Sequence, residues 1–75
     1  MKVGLKDFHQ IKTDYYEIDS KIIDGDLWIL YEHNEYGEEV KCIALNLTKG
    51  FYVYTFETLD YTVENLENEF EMYSL

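Results

Sequence analysis

The stretch that decides the fold is YYEIDSKIIDGDLWILYEHNEYGEEVKCIALNLTKGFYVYTFET, residues 15–58. Its punctuation is regular. Asp24-Gly25 is a hairpin dipeptide, because a type I′ turn needs positive φ at both central residues. Asn34-Glu35-Tyr36-Gly37 carries Asn first and Gly last, which suits a type I turn closed by a left-handed glycine. Lys49-Gly50 reads as a third tight turn. Between the turns lie residues 15–23, 26–33, 38–48 and 51–58, all rich in Ile, Val, Tyr, Phe and Thr. This pattern predicts a four-stranded antiparallel meander.

Turn positions set register, and register sets faces. The first turn puts Ile22 opposite Leu27, Ser20 opposite Ile29 and Ile18 opposite Tyr31. The second puts Ile29 opposite Ile43 and Leu27 opposite Leu45. The third puts Leu47 opposite Tyr52, Leu45 opposite Tyr54 and Ile43 opposite Phe56. One face then collects Tyr16, Ile18, Ile22, Leu27, Ile29, Tyr31, Ile43, Leu45, Leu47, Tyr52, Tyr54 and Phe56. The other carries Glu17 directly opposite Glu32, Asp19 opposite Leu30, and the apolar Trp28, Val40, Cys42 and Val53. Like charges across a strand pair are destabilising. The mixed second face is therefore expected to meet the N-terminal segment, a second copy or a target.

After residue 58 the period changes. Leu59, Val63, Leu66, Phe70 and Tyr73 recur every three or four residues, which predicts a helix over 59–73 with Asp60 or Thr62 as its N-cap. It is expected to pack on the first apolar face. Glu69 and Glu71 near its C-terminus oppose the helix dipole. Residues 1–13, with Val3, Leu5, Phe8 and Ile11, read as an arm or short helix against the sheet. The expected fold class is α+β: one domain of 75 residues, a four-stranded antiparallel meander with a C-terminal α-helix on one face.

Sixteen acidic residues face six lysines, arginine is absent, and the formal net charge is −10. No basic side chain follows Lys49. Such a chain is repelled by nucleic acid and by anionic membrane, and is suited to a basic protein partner. With one cysteine, Cys42, no internal disulfide can form, and no apolar run is long enough for a signal peptide or a membrane span. Cytoplasm is the expected compartment.

No phosphate loop, nucleophile elbow or paired-cysteine motif occurs, and catalysis is not expected. His33 and Cys42 are zinc-ligand types, yet they stand alone and the register puts them on opposite faces. No metal or cofactor is expected. Partner-binding residues are expected in the acidic C-terminal stretch, at Glu57, Asp60, Glu64, Glu67 and Glu71. A second patch is expected at Glu17, Asp19, Glu32 and Trp28.

The acidic, arginine-free, tyrosine-rich composition of the whole chain, with the acidic segment 57–71, resembles small inhibitor proteins of phages and mobile elements. These include anti-CRISPR proteins and DNA mimics. The resemblance implies carboxylates standing in for DNA phosphates on a basic, nucleic-acid-handling enzyme such as a CRISPR effector nuclease. The competing expectation is a small assembly protein that homodimerises through the second face of its sheet.

Overall fold

A computed structural model of the chain describes residues 8–33 and 42–75. The turn expected at Asn34 to Gly37, and the places of Val3, Leu5 and Val40, lie outside the described residues.

The chain order is α1 (Phe8–Asp14), β1 (Tyr15–Ile23), β2 (Asp26–His33), β3 (Cys42–Asn46), β4 (Phe51–Thr55), α2 (Leu59–Glu64), α3 (Leu66–Glu69) and β5 (Tyr73–Ser74). The sheet is antiparallel and its strand order is sequential, β1-β2-β3-β4-β5. The fold is thus α+β, with an added fifth strand where the end of a helix was expected.

The Asp24-Gly25 turn forms as expected, with φ of 51° and 84°. It sets Ile22 opposite Leu27, Ser20 opposite Ile29 and Asp19 opposite Leu30. A bulge at Ile18 then shifts the register, so Glu17 faces Tyr31 and Tyr16 faces Glu32. One extra residue exchanges the two faces from there on. The expected Glu17–Glu32 clash is therefore absent, and Tyr15 takes the core position assigned to Tyr16.

The β2–β3 and β3–β4 registers each differ from expectation by two positions. Ile29 pairs with Leu45, and Leu45 with Tyr52. The β3–β4 connection is not the two-residue turn at Lys49-Gly50 but spans residues 47–50. Asn46 organises it: its carbonyl accepts the Gly50 N–H at 2.9 Å and its side-chain oxygen accepts the Lys49 N–H at 2.8 Å. Such side-chain-to-backbone bonds are how Asn builds turns. A two-position shift preserves side-chain parity, so the face assignments of β2, β3 and β4 stand. Phe56, expected opposite Ile43, instead lies past the end of β4 and is 66% exposed.

Both faces of the sheet are covered. On the first, Ile11 and Phe8 of α1 pack over Tyr15, Ile29, Tyr31, Ile43, Leu45 and Tyr52. The second buries Trp28, Leu30, Cys42, Ala44 and Val53 under Leu59, Val63, Leu66 and Phe70. The C-terminal helical segment thus lies on the opposite face from the one expected. With helices on both sides, β3 is buried at every residue, as a near-continuous apolar strand requires. The second face is filled by the chain itself, so it does not present the surface on which homodimerisation was expected. The core-face expectation also fails for Ile22, Ile18 and Leu47, which are exposed. Seven-residue α1 leaves the outer part of β1 uncovered.

The continuous helix over 59–73 does not form. Thr58, not Asp60 or Thr62, is the N-cap, accepting the Tyr61 N–H. Asn65 ends α2: its side-chain amide donates to the Tyr61 carbonyl at 2.9 Å, competing with the helical backbone. Phe70 is already extended, at φ −122° and ψ 138°. Tyr73 then pairs with Tyr52 as a strand residue, and the two rings stack at 5.4 Å. Breaking the helix puts Phe70 on one face of the sheet and Tyr73 on the other, which one amphipathic stripe cannot do.

Candidate functional site: an acidic groove at the turn end of the sheet

In a meander the first and third turns lie at the same end of the sheet. Here that brings Asp24 and Asp26 beside Asn46 and Lys49, and the α2–α3 segment closes over them. The result is a groove of about 310 Å³. Trp28 and Phe51, in edge-to-face contact at 5.4 Å, line its base. Val63 and Leu66 form one wall, and Asp24, Glu64 and Glu67 carry exposed carboxylates around it.

The polar frame of the groove is fixed. Asp26 accepts from the Asn46 side-chain amide at 3.0 Å and lies 3.1 Å from the Lys49 ammonium. These two partners hold the Asp26 carboxyl below its usual range, the Asn46 hydrogen bond contributing most. Asn46 is 1% exposed, so its bonds to Asp26, Lys49 and Gly50 lock both turns together.

Of the residues expected to bind a partner, the structure gathers Trp28, Glu64 and Glu67 here. Trp28 is 2% exposed and belongs to the base rather than to an open surface. Asp60 pairs with Lys21, joining α2 to β1, and holds the Lys21 ammonium above its usual range. Glu57 is exposed beyond β4, where its backbone N–H donates to Thr55. Glu71 accepts from the Tyr73 hydroxyl at 3.5 Å. Glu17 lies on the first face, while Asp19 and Glu32 lie on the second, so the expected second patch is divided between faces. Asp24 and Lys49 escaped sequence reasoning because they were read as turn chemistry, and Asp26 and Asn46 because they were read as strand residues. The signal was the topology: two turns that share an end bring their side chains together.

Cys42 is buried opposite Glu32, and burial, helped by that carboxylate, pushes its thiol above the usual value. A raised thiol stays protonated near neutrality and is a poor nucleophile or ligand. His33 packs edge-on against Tyr15 at 4.8 Å, on the opposite face. Among the described residues, no three His, Cys, Asp or Glu side chains converge as metal ligands, and no helix is long and apolar enough to cross a membrane. Compared with protein-family models, curated proteins and solved structures, the chain matches none.

Proposed function

We propose that this is a small acidic binding protein of the cytoplasm that occupies the nucleic-acid-binding surface of a basic, nucleic-acid-handling protein and so inhibits or modulates it. A CRISPR effector nuclease, as the target of an anti-CRISPR-type inhibitor, is the specific form of this reading. The observation that carries it is the distribution of charge around the groove. Asp24, Glu64 and Glu67 present carboxylates outward beside apolar walls, while Lys21 and Lys49 are engaged with Asp60 and Asp26. Among the described residues, the cations beside these carboxylates are thus used within the fold, which leaves the outward field there negative. Carboxylates on a rigid scaffold form charge-assisted bonds to Lys and Arg and steer association with a basic groove.

The test is competition. Immobilised protein is offered a panel of RNA-guided nucleases and other nucleic-acid enzymes, with and without their DNA. Binding that is lost when DNA fills the target's groove, and that weakens with added salt, is the expected result. Retention of none of them at low salt would sink the reading.

A further inference from the structure

Among the described residues, β1 is the outer strand of the sheet and pairs only with β2. Every residue from 16 to 22 is exposed, among them Tyr16 and Ile18 at 46% and Ile22 at 76%. The two-residue turn fixes which backbone groups face outward. Ile23 and Asp26 close the hairpin by exchanging hydrogen bonds, so Ile22–Leu27 and Ser20–Ile29 are the non-bonded pairs of the ladder. On β2 this turns Leu27 toward β3, where its carbonyl accepts the Leu47 N–H at 3.0 Å. On β1 the same alternation points the N–H and C=O groups of Ser20 and Ile22 at the free edge. The Ser20 N–H is met by the carboxylate of its neighbour Asp19 at 2.9 Å.

We propose that a second copy of the chain pairs antiparallel along this edge, across a two-fold axis at Ser20. The argument is the charge pattern of the strand. An axis at Asp19 would set two carboxylates face to face, and an axis at Lys21 two ammonium groups. An axis at Ser20 sets Asp19 opposite the partner's Lys21 twice over, where each Lys21 ammonium, already held by its own Asp60, would be shared between two carboxylates, and brings Ile18 beside the partner's Ile22. Opposite charges and apolar side chains across strands stabilise a pair, and a self-complementary patch is what a two-fold dimer requires. The Ser20 N–H then bonds the partner's Ser20 carbonyl, freeing the Asp19 carboxylate for the partner's Lys21. The pairing joins two five-stranded sheets edge to edge and puts both α2–α3 surfaces on the same side. Two chains of −10 repel one another, and at physiological salt that repulsion is screened beyond about 8 Å.

Two charge reversals test this by sedimentation at physiological salt. The parent is expected to dimerise. Asp19→Lys and Lys21→Glu should each weaken the dimer by about tenfold or more, since each turns both cross-strand pairs repulsive. Lys21→Glu also removes the partner of Asp60, so it is made together with Asp60→Asn, and Asp60→Asn alone should leave the dimer intact. An equimolar mixture of the two variants should recover the dimer, because the mixed pair is attractive at both positions. A second measurement does not depend on affinity. Ser20→Cys should oxidise to a disulfide-linked dimer, since facing residues of a bonded pair lie about 5.5 Å apart, whereas Asp24→Cys, exposed at the turn, should not. A parent that stays monomeric at high concentration overturns the proposal. It is equally overturned by a dimer indifferent to both reversals, by a mixture that remains monomeric, or by equal crosslinking of Asp24→Cys.

Discussion

The hydroxyl of Thr55 lies 2.8 Å from that of Thr62, and the two residues are 1% and 0% exposed. The bond joins the end of β4 to the middle of α2. Its direction follows from the neighbours. Thr62 donates its hydroxyl hydrogen to the Thr58 carbonyl at 2.8 Å, so Thr55 donates to Thr62. The Thr55 oxygen in turn accepts the Glu57 N–H at 3.0 Å. Each buried hydroxyl in this relay is satisfied, and the α2 backbone is held where Leu59 can enter the second core.

A double-mutant cycle checks the relay. Thr62→Val keeps the shape but leaves the Thr55 hydroxyl without its acceptor, and is expected to destabilise by about 1–3 kcal/mol. Replacing both threonines by valine removes donor and acceptor together. Its loss is expected to be smaller than the sum of the single losses. Chemical denaturation gives all four stabilities. Strict additivity would mean that the two hydroxyls do not act as a pair.

Leu59 is fully buried against the Trp28–Val53 face. Leu59→Ala is expected to cost about 2–5 kcal/mol through lost transfer energy and the cavity left behind. For a domain of this size that is a large part of the whole stability. A loss below about 1 kcal/mol in denaturant unfolding would show that α2 does not pack on this face.

How much of this was legible in sequence depended on how local the signal was. Asp24-Gly25 named its turn correctly, because the φ requirement sits on those two residues. Asn46 was read as an ordinary strand residue. Only the fold shows that its side chain replaces the short turn at Lys49-Gly50 with a longer one. The face assignments survived because both register errors were even-numbered, whereas the one-residue bulge at Ile18 exchanged Tyr15 and Tyr16. The stripe Leu59, Val63, Leu66 and Phe70 did mark a buried surface. Tyr73 continued it only by coincidence of spacing, since no helical period anticipates a strand that stacks its ring on Tyr52. Of the acidic groove, Glu64, Glu67 and Trp28 were named from sequence, but their meeting with Asp24 and Asp26 is a tertiary fact.

The tyrosine cluster carries an alkaline signature. Burial, with neighbouring Tyr52 and Tyr15, pushes the Tyr54 phenol up to about 12, and burial also raises Tyr15 and Tyr31. The unfolded phenol titrates near about 10. Between these values the unfolded chain releases a proton that the folded chain keeps. The contribution of Tyr54 is thus fully present below about pH 10 and is lost as pH rises toward about 12. Phenolate absorbance should include a late phase, from Tyr54 with Tyr15 and Tyr31, above the ordinary phenol range. In Tyr54→Phe the loss of stability across this window should be shallower. A single phase centred at about 10 would show that Tyr54 is open to water.

Asp26 gives the opposite sign. Its folded carboxyl lies below the usual range because it accepts from Asn46 and faces Lys49. The stabilisation is present above the ordinary value of about 3.9 and is lost as pH falls through the lower folded value. Asp26→Asn should lower stability at neutral pH, and the gap to the parent should close in acid. A gap that is constant from neutral to acid pH would assign the effect of Asp26 to packing rather than to charge.

The decisive variant for the proposed function is the triple change Asp24→Asn, Glu64→Gln and Glu67→Gln, which removes three exposed charges around the groove while keeping its shape. Asn is chosen at residue 24 because φ there is 51°, a conformation Asn adopts readily. Fold stability should hardly move. Affinity for a basic nucleic-acid enzyme should fall steeply, because a charge-assisted bond to a desolvated group contributes about 1.5–3 kcal/mol. Contacts at the rim contribute less, so the combined loss is expected between about tenfold and a few thousandfold. The parent's affinity should also decline more with salt than the variant's. Glu57→Gln with Glu69→Gln and Glu71→Gln is the charge-matched control, since none of the three residues lines the groove. If the control loses as much affinity as the triple variant, total charge governs binding and the groove has no special part in it. If the triple variant binds as the parent does, the contact surface lies elsewhere on the molecule.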